Sequence, residues 1–396
     1  MKKLDLVILA GGKGSRIKKF TNRPKPIVKF NNLHFLDYLI QNYTLHNFQN
    51  IYVLAGYKGA QIKKIYSQRK FNLKKINIVI EKKPMDTGGA LYNLKNLVKN
   101  DFILVNGDSI LDINLEKFIK KKIKNHLIKI ALINKKFTKN KNKLGNISLK
   151  KNKIIFKNNS NYMNAGIYYC NKKLLKYIKK NKISLENEII PKLIKKNKVT
   201  GQIIKNKFFL DIGTPYYFRR SSKILKNLFS KPAVFFDRDN TIIKDDGYTY
   251  KVKDLKFIRK SIEAIKFLIK KNYYIFLVTN QAGIAKGFFK EDSFFNFQEA
   301  MRLKMRKNQI FFHDIEYCPY HPNALIKKYK KKTQLRKPGN LMIKNLENKW
   351  IINKRKSFMI GDSLSDKQTA KKSKIYFEYP KKNLLLQVKS IFKKLN

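Results

Sequence analysis

The sequence has few of the residues on which small secreted proteins and membrane proteins depend. Its 396 residues include only two cysteines, Cys170 and Cys318, far apart in the chain. They form no disulfide framework and fit a reducing compartment. The first apolar run, residues 6–10, is too short for the core of a signal peptide or for a membrane span. We therefore expect a cytoplasmic protein without a membrane partner.

Acidic residues are also scarce, with 26 Asp and Glu against 89 Lys and Arg and a formal net charge of +63. Such a charge can attract nucleic acid. The lysines are spread among asparagine and isoleucine along the whole chain, and no zinc-finger, RNP or leucine-zipper pattern accompanies them. We attribute them to compositional bias and expect no specific nucleic-acid partner. A hydrophobic content of 43% and an aromatic content of 13% exclude a disordered basic tail.

Short apolar runs alternate with helical stretches, a pattern that predicts parallel sheets with crossover helices. Residues 218–231 read as a short basic helix followed by a linker. We expect the α/β class with two doubly wound, Rossmann-like domains at 1–222 and 232–396, joined by a linker at 223–231. The predicted strands are 4–9, 51–55, 76–80, 102–105, 233–236, 274–278 and 357–360.

A glycine-rich turn containing Gly11, Gly12 and Gly14 follows the first predicted strand. Glycines let the backbone approach a phosphate chain closely, and the nearby Arg16 offers a planar fork for phosphate oxygens. The spacing matches neither the dinucleotide fingerprint nor the P-loop. Further motifs follow in order: Lys25-Pro26, Asp86-Thr87-Gly88-Gly89-Ala90, Asn106-Gly107-Asp108, Asn164-Ala165-Gly166, SLENEIIPKL at 184–193 and FLDIGTPYYF at 209–218.

Through this ordered set, residues 1–222 resemble the sugar-1-phosphate nucleotidyltransferases, and the last two motifs are most similar to the heptose-1-phosphate guanylyltransferase branch. The resemblance implies that a sugar 1-phosphate oxygen attacks the α-phosphorus of GTP and that pyrophosphate leaves. It implies that Lys25 neutralises charge at the α-phosphate and that Asp108 and Asp211 hold Mg²⁺. It assigns the triphosphate to Gly11, Gly12, Gly14, Ser15 and Arg16, the base to Gly88 and Gly89, and the sugar to Asn164 and Glu186.

One departure from this family concerns the grip on the sugar phosphate. Many members carry a Glu-Lys pair after the phenylalanine equivalent to Phe156, whereas this chain has Asn158 and Asn159. Lys157 is the neighbouring cation that could replace the lysine; without a replacement, the transferase would be impaired. In a purely structural interpretation, Asp108 and Asp211 would only cap helices or turns.

A second group of polar residues follows the strands of the second part. Asp237 and Asp239 come directly after residues 233–236, Thr279 follows the next strand, and Asp362 follows 357–360. Two carboxylates two residues apart at a strand end can share a metal and divide nucleophilic and acid–base work. Lys337 adds a cation that can bind a phosphoryl group.

This ordered group resembles the haloacid-dehalogenase phosphatases over about 231–396, and within them the histidinol-phosphate and heptose-bisphosphate phosphatase branch. The supporting motifs are TNQAGIAKG at 279–287, YCPYHP at 317–322 and RKPGNLMI at 336–343. The resemblance implies that Asp237 forms an aspartyl phosphate and that Asp239 protonates the leaving oxygen and then activates water. It assigns the phosphoryl group to Thr279 and Lys337, and Mg²⁺ to Asp237, Asp239 and Asp362.

Two further departures concern the second family. Asn240 stands where members usually have glycine, and asparagine tolerates a left-handed backbone. Members often bind structural zinc through Cys-x-His and Cys-x-Cys, but here Tyr320 occupies the histidine place and Thr333-Gln334-Leu335 replaces the second pair. Cys318 and the nearby His321 fall short of four ligands, so we expect no zinc.

The two resemblances together imply consecutive reactions on one sugar. Heptose 1,7-bisphosphate would lose its 7-phosphate, and the heptose 1-phosphate would react with GTP to give GDP-heptose for lipopolysaccharide or another surface polysaccharide. The choice of GTP comes from the resemblance alone. Three alternatives stay open: a histidinol-phosphate phosphatase joined to another sugar-1-phosphate nucleotidyltransferase, a chain with one active domain, and a nucleic-acid-binding module whose enzyme motifs are relics. The oligomeric state does not follow from the sequence.

Overall fold

The computed structural model describes residues 3–44, 46, 48–120, 125–137, 145–150, 153–205 and 208–396, without the side chains of 44, 137, 145, 146 and 156–159. Contacts divide the chain into two units, Met1–Leu225 and Lys226–Asn396. Each unit has its own parallel-rich sheet with helices between the strands, so the expected α/β class is confirmed. Within the described residues, no helix combines the length and apolarity needed to cross a bilayer.

The strands of the first unit include both parallel and antiparallel neighbours. They are β1 Leu4–Leu9, β2 Lys29–Phe30, β3 Leu33–His34, β4 Phe48–Ala55, β5 Lys70–Phe71, β6 Lys74–Ile80, β7 Asp101–Asn106, β8 Ser109–Leu111, β9 Ile128–Asn134, β10 Gly145–Lys150, β11 Lys153–Ser160, β12 Tyr162–Cys170, β13 Val199–Ile203 and β14 Phe209–Asp211. Ten of them form one sheet in the order β10-β11-β13-β9-β12-β7-β1-β4-β6-β5, while β2 pairs with β3 and β8 with β14.

Helices connect the strands of the first unit, and the last of these helices continues four residues past the unit boundary at Leu225. The α-helices are α1 Phe35–Thr44, α2 Gly59–Tyr66, α3 Asp86–Ala90, α4 Leu115–Lys120, α5 Ile190–Lys195 and α6 Pro215–Phe229, with a π-helical turn at Leu185–Ile189 and 3₁₀ turns at Ser15–Ile17, Lys25–Ile27, Leu91–Leu94, Lys135–Phe137 and Lys172–Tyr177.

The centre of the first sheet is a parallel group, because β1 pairs in parallel with β4 and β7, and β4 pairs in parallel with β6. Leu6, Val7 and Ile8 are fully buried, as expected for a strand covered on both faces. The carboxyl ends of parallel strands meet at one edge of a sheet, where open α/β folds bind ligands. The glycine-rich turn after β1, Glu81 after β6 and Asn106 at the end of β7 therefore share that edge.

The second unit is a five-stranded parallel sheet in the order β17-β16-β15-β18-β19. Its central strand β15 is flanked by β16 and β18, so the residues that follow these three strands lie at one edge. Its elements are β15 Ala233–Phe236, β16 Tyr274–Asn280, β17 Asp314–Cys318, β18 Phe358–Ile360 and β19 Tyr376–Glu378, with α7 Ser261–Lys270, α8 Ala282–Ala285, α9 Glu291–Lys307, α10 Leu341–Glu347, α11 Leu364–Ser373 and α12 Leu384–Leu395, and 3₁₀ turns at Val252–Asp254, Lys327–Tyr329 and Lys354–Lys356.

The predicted strands are all present, although most have different ends. The strands predicted at 4–9 and 233–236 have the predicted bounds. The strand predicted at 274–278 continues through Asn280, so Thr279 belongs to the strand itself. Helix α6 continues through Phe229 and so includes most of the segment predicted as a linker, 223–231, whose domain bounds stay a prediction. Every fourth residue of α6 is buried: Tyr217, Ser221, Leu225 and Phe229. Because this spacing places them on one face of a helix, it favours a helix that extends to Phe229.

Two candidate active sites

A cavity of about 630 Å³ lies at the carboxyl edge of the first sheet, beside the glycine-rich turn. We call it the transferase cavity. Five predicted site residues line it: Gly11, Gly12, Lys25, Asp108 and Glu186. Its other lining residues include Lys13, Glu81, Pro84, Asp86, Thr87, Asn106, Gly107, Lys182, Ser184 and Asn187.

Lys25 and Asp108 form an ion pair in this cavity. The Lys25 Nζ donates to Asp108 Oδ2 over 2.7 Å, and the Ser109 hydroxyl donates to Asp108 Oδ1 over 3.1 Å. This placement requires a glycine at position 107. Any other residue would bring its Cβ to 2.4 Å from the Leu9 carbonyl oxygen, which is too close. The loop can therefore pass directly over the end of β1, which keeps Asp108 next to the glycine-rich turn.

Asp211 and Arg16 lie close to the Lys25–Asp108 ion pair. Pairing of β8 with β14 sets Asp211 opposite Ser109, beside Asp108. The Asp211 Oδ1 accepts the Gly213 amide over 2.8 Å. A side-chain carbon added to Gly213 would lie 2.8 Å from Lys25 Nζ, 2.9 Å from Asp211 Oδ1 and 3.1 Å from Arg16 Nη2. Two carboxylates and two cations thus surround one small region, and hard carboxylate oxygens are a donor set that fits Mg²⁺.

Glu186 and Asn164 are joined through a tyrosine that the sequence analysis missed. Glu186 lies on the π-helical turn and accepts hydrogen bonds from Thr87 Oγ1 over 2.5 Å and from Tyr168 Oη over 3.1 Å. The Asn164 Nδ2 donates to the same Tyr168 oxygen over 2.8 Å. Tyr168 is fully buried, so it positions Asn164 and Glu186, and of these three residues Glu186 lines the cavity. Tyr168 has no local signal in the sequence, because residues four apart in a regular strand lie about 13 Å apart and only the irregularity between Asn164 and Tyr168 brings them together.

The structure does not bring Gly88 and Gly89 to the transferase cavity. Both are buried in α3, and their amides donate to the Ile183 carbonyl over 2.9 and 3.0 Å. An added side-chain carbon on Gly88 would lie 2.5 Å from Ile189 Cδ1. These glycines therefore allow α3 to pack closely against residues 181–189.

The remaining predicted residues of the first unit lie on or beyond the glycine-rich turn. Gly14 has φ +67°, a backbone conformation that glycine adopts without strain, and packs against the Lys25 side chain. Ser15 and Arg16 begin a 3₁₀ turn and are exposed. The side chains of Lys157, Asn158 and Asn159, which bear on the missing Glu-Lys pair, lie outside the described residues.

The site of the second unit is built around a buried lysine. The Lys337 Nζ donates to Asp237 Oδ1 over 2.6 Å, to Asp366 Oδ1 over 2.5 Å and to the Val278 carbonyl over 3.1 Å. Burial lowers the pKa of Lys337, but the two carboxylates outweigh burial and raise it above its ordinary value. Burial raises the pKa of Asp237, and Lys337 opposes that increase. The pair therefore keeps a fixed ammonium next to the predicted nucleophile.

Asp239 is held by two neighbours that the sequence analysis also missed. Its Oδ1 accepts from Arg238 Nε over 2.7 Å, and its Oδ2 accepts from Gln281 Nε2 over 3.0 Å. Gln281 also donates to the buried Thr279 hydroxyl over 2.9 Å. Burial raises the pKa of Asp239 even though Arg238 lowers it. A carboxyl group with a raised pKa is suited to proton transfer.

The carboxylates that come together here are Asp237, Asp362 and Asp366, whose nearest ligand atoms lie within 4.8 Å of one another. This differs from the predicted set of Asp237, Asp239 and Asp362, because both Asp239 oxygens face Arg238 and Gln281 instead. Asp366 forms a capping box with Ser363 at the start of α11. The Ser-x-x-Asp spacing of that capping box was visible in the sequence. Both Asp366 oxygens face Lys337 and Ser363, so the carboxylates left to fit a divalent cation such as Mg²⁺ are those of Asp237 and Asp362.

Two tight backbone positions support this cluster. Asn240 adopts φ 49°, so asparagine does take the left-handed conformation expected in place of glycine. Its Oδ1 accepts the Asp245 amide over 3.1 Å. A side-chain carbon added to Gly361 would lie 2.4 Å from Asp366 Cγ. Glycine at this position therefore leaves room for the Asp366 carboxyl group.

The residues considered for zinc have other partners. Cys318 is buried, and its Sγ contacts the Tyr320 carbonyl at 3.7 Å. The His321 Nδ1 accepts the Asn323 amide over 3.1 Å. The absence of zinc stays a prediction.

Comparison with known proteins gives matches for both units. A family described as nucleotidyl transferase matches residues 6–227, and one described as polynucleotide kinase 3 phosphatase matches residues 232–385. The D-glycero-beta-D-manno-heptose-1,7-bisphosphate 7-phosphatase of Photorhabdus laumondii is 43% identical over 144 residues, which are 36% of this chain and 77% of that protein. The protein of the same name from Escherichia coli is 36% identical over 141 residues, 36% of this chain and 74% of that protein. A crystal structure of HddC from Yersinia pseudotuberculosis is 26% identical with a TM-score of 0.47, covering 57% of this chain and 100% of that one.

Proposed function

The chain belongs to the nucleotidyl transferase family over residues 6–227 and, over 144 residues, to the D-glycero-β-D-manno-heptose-1,7-bisphosphate 7-phosphatase family, and from this we propose that it performs two consecutive reactions on one sugar. The first removes the 7-phosphate of D-glycero-D-manno-heptose 1,7-bisphosphate. The second transfers GMP from GTP to the heptose 1-phosphate and releases pyrophosphate.

One observation carries this proposal: the same chain holds a buried lysine–aspartate site in one unit and an open cavity lined by glycines, lysines and carboxylates in the other. The first suits a single phosphoryl group. The second has room for a nucleotide and a sugar phosphate. The product of the first reaction is the acceptor in the second.

In the proposed phosphatase reaction, an Asp237 carboxylate oxygen attacks phosphorus and forms an aspartyl phosphate. The sugar oxygen leaves with a proton from Asp239. Asp239 then takes a proton from the water that attacks the aspartyl phosphate, and phosphate is released. Lys337 and Thr279 hold the phosphoryl oxygens. Asp237 and Asp362 would hold Mg²⁺, positioned by Asp366, and the bound ion would neutralise charge on the phosphoryl group.

In the proposed transfer reaction, the backbone of Gly11, Gly12 and Gly14, with Ser15 and Arg16, binds the triphosphate. Lys25 neutralises charge at the α-phosphorus, where the sugar phosphate oxygen attacks and pyrophosphate leaves. Asn164 and Glu186 orient the sugar through its hydroxyl groups. Asp108 and Asp211 would hold Mg²⁺, which would stabilise the charge that develops at the phosphates.

The proposal is tested by a mass-spectrometric product assay with purified protein, heptose 1,7-bisphosphate, Mg²⁺ and equimolar GTP, ATP, CTP and UTP. A single GDP-heptose product is expected. Heptose 1-phosphate without any nucleotide sugar would contradict the transferase half. Faster hydrolysis of histidinol phosphate than of heptose 1,7-bisphosphate would contradict the assigned sugar.

Two variants separate the reactions. Asp237→Asn should stop phosphate release but leave transfer to pre-made heptose 1-phosphate intact, and Asp108→Asn should do the reverse. Thermal unfolding of both variants controls for folding. Loss of both activities in either folded variant would contradict two independent sites.

A further inference from the structure

A long loop, residues 319–336, runs from the end of β17 to the buried Lys337 of the phosphatase site. All of its residues are described, and a single 3₁₀ turn is the only helical structure in it. The chain is held at both ends of the loop. The Gln281 amide donates to the Cys318 carbonyl over 2.8 Å, and the Lys337 amide donates to Asn280 Oδ1 over 3.0 Å. A loop of this length is uncommon in a compact domain, so its middle needs a further anchor.

The middle of the loop is strongly basic around one buried side chain. Tyr329 is 7% exposed, whereas the lysines on both sides of it are exposed: Lys327, Lys328, Lys330, Lys331 and Lys332. Like charges this close repel one another, and the chain as a whole has a net charge of +63. Electrostatic repulsion therefore favours release of this segment, and the buried tyrosine is what opposes it.

Glu291, in the first turn of α9, binds that tyrosine. Its Oε2 accepts from Tyr329 Oη over 3.1 Å, and its Oε1 accepts from the Tyr317 hydroxyl. Tyr317 belongs to β17, and its ring stacks on Phe294 of α9 with 4.6 Å between the centroids. Burial, and after it the hydrogen bond to Glu291, raises the pKa of Tyr317, so this hydroxyl keeps its proton and donates it. One carboxylate thus joins the strand, the helix and the middle of the loop.

The side chains of this region do not fit the structural zinc that the second resemblance implies. The Cys318 Sγ contacts a carbonyl oxygen, and the His321 Nδ1 accepts an amide. Within the described part of the chain, the carboxylate, thiol and imidazole groups close enough to share an ion are those of Asp237, Asp362 and Asp366, none of them in this loop. A closed zinc site needs four ligands. The loop is therefore built to be held by other means.

We propose that Glu291 anchors the loop of residues 319–336 in place of a metal ion and thereby positions Lys337. The carboxylate fixes the middle of the loop through Tyr329, and the loop leads directly to the ammonium that binds Asp237. Glu291 acts through the loop and is a positioning residue. The effect on phosphate release rests on the proposed function, whereas the anchor itself does not.

The first test is limited proteolysis of the full-length protein with trypsin, since residues 327–332 include five exposed lysines. Glu291→Ala should raise the rate of cleavage there about tenfold to a hundredfold, because it removes two hydrogen bonds to a charged group. Glu291→Gln should give an intermediate rate, because its amide oxygen can still accept one hydroxyl. Asp292→Ala is the matched control. It removes a neighbouring exposed carboxylate from the same helical turn and should leave the rate unchanged.

The second test measures phosphate release from heptose 1,7-bisphosphate, with kcat and KM determined separately. Glu291→Ala should lower kcat about threefold to tenfold and change KM less, because a displaced Lys337 stabilises the transition state less well. Glu291→Gln should restore part of kcat, and Asp292→Ala should leave it unchanged. Nucleotide transfer to pre-made heptose 1-phosphate reports on the first unit and should be the same in all these variants.

A chelator distinguishes a carboxylate anchor from a metal. 1,10-Phenanthroline, whose nitrogen donors bind zinc in preference to Mg²⁺, is added to the unaltered protein with Mg²⁺ in excess. Neither kcat nor the cleavage rate should change, and elemental analysis should find no stoichiometric zinc. Loss of phosphate release that added zinc restores would overturn the proposal.

The remaining outcomes separate the anchor from its effect on catalysis. Unchanged cleavage of folded Glu291→Ala would overturn the anchor, and faster cleavage with unchanged kcat would overturn the positioning of Lys337. If the unaltered protein releases no phosphate from heptose 1,7-bisphosphate, the proposed function fails and the cleavage rates still decide the anchor.

A milder variant applies if Glu291→Ala does not fold. Tyr329→Phe removes one hydroxyl, keeps the ring, and should raise the cleavage rate about threefold to tenfold. Tyr320→Phe, the same change in a tyrosine of the loop that packs against Tyr329, is its control and should leave the rate unchanged. Equal rates for the two variants would overturn the anchor.

Discussion

The two candidate sites differ in how far their charged groups are removed from water. Asp237 and Lys337 are 6% and 3% exposed and Asp366 is fully buried, whereas the Asp108 side chain is 26% exposed and Arg16 lies in solvent. A monoester phosphatase handles one small phosphoryl group, which its own residues can surround. A nucleotidyltransferase admits two large anions, so Arg16 and Asp108 stay in contact with water until substrates arrive, while the Lys25 side chain is 12% exposed. We therefore expect the charges of the second unit to support folding as well as chemistry, and those of the first mainly chemistry.

The largest effect is expected for Lys337→Met. It removes the cation shared by two buried carboxylates, and breaking a buried ion pair typically costs about 3–5 kcal/mol. Phosphate release should fall about 10³-fold or more, since a charge that stabilises the transition state is lost. Urea unfolding and a phosphate-release assay measure the two effects. An unchanged free energy of unfolding would contradict the expectation that the charges of the second unit support folding.

The matched change in the first unit is Lys25→Met. Nucleotide transfer should fall about 10²–10³-fold, by the same loss of transition-state stabilisation. The free energy of unfolding should fall by about 1 kcal/mol or less, because the ion pair is partly hydrated and its carboxylate can be solvated. Transfer is measured with pre-made heptose 1-phosphate. A destabilisation as large as that of Lys337→Met would contradict the comparison.

Changing a glycine to alanine should affect stability differently at the two sites, and this difference should be smaller than that between the lysine variants. In Gly361→Ala the new methyl group would overlap Asp366 Cγ, so we expect a loss of about 1–3 kcal/mol in unfolding free energy and weaker phosphatase activity. Gly12→Ala has no heavy atom within 4 Å of the added carbon, so stability should change by less than about 0.5 kcal/mol while GTP binding weakens. Denaturant unfolding and calorimetric titration with GTP test the pair. Equal destabilisation by both changes would contradict this distinction.

The smallest expected effect is a pH dependence in the second unit. Burial and the nearby Lys231 hold the pKa of His313 well below its ordinary value, and its Nδ1 accepts the Ile275 amide over 2.9 Å. The unfolded chain binds a proton near pH 6.5 that the folded chain does not. The contribution to stability is therefore complete above that pH and decreases as pH falls below it. Between pH 7.5 and 5.5 it should amount to about 1 kcal/mol.

His313→Asn is the control for this dependence, because the asparagine Oδ1 can still accept the Ile275 amide but does not titrate. Urea unfolding at both pH values should show a smaller loss for the variant than for the unaltered protein. Equal losses would exclude His313 as the source.

Much of the fold follows from sequence because its strands are strongly apolar and end at glycine or aspartate. Residues 4–9 and 233–236 are such strands, and their bounds are as predicted. The extended end of β16 was missed because Thr279 and Asn280 are polar, although a residue at a strand end can pair while its side chain serves the site. The antiparallel edge formed by β10 and β11 carries no comparable local signal, since it depends on pairing between strands.

Site residues were predictable from sequence where a local motif contains them. They were not predictable where tertiary contacts determine which side chains meet. Asp237 and Lys337 were expected near each other, and they form a direct ion pair. The role of Asp366 depends on the position of Lys337, 29 residues earlier in the chain. Gly88 and Gly89 were predicted to contact a ligand but pack against protein. A glycine pair in a sequence is compatible with both close ligand approach and close helix packing. Only the position of residues 181–189 distinguishes these two uses.

The pairing of β8 with β14 also has a consequence for protein synthesis. Asp108 leaves the ribosome early, whereas Asp211, which the pairing sets beside it, lies on the last strand of the first unit. A nascent chain that has not yet reached Phe209 already contains the glycine-rich turn and Lys25, but it lacks the second carboxylate. The transferase can therefore be completed only when translation of its unit is nearly finished. Ribosome-bound intermediates that end before this strand should be inactive in nucleotide transfer.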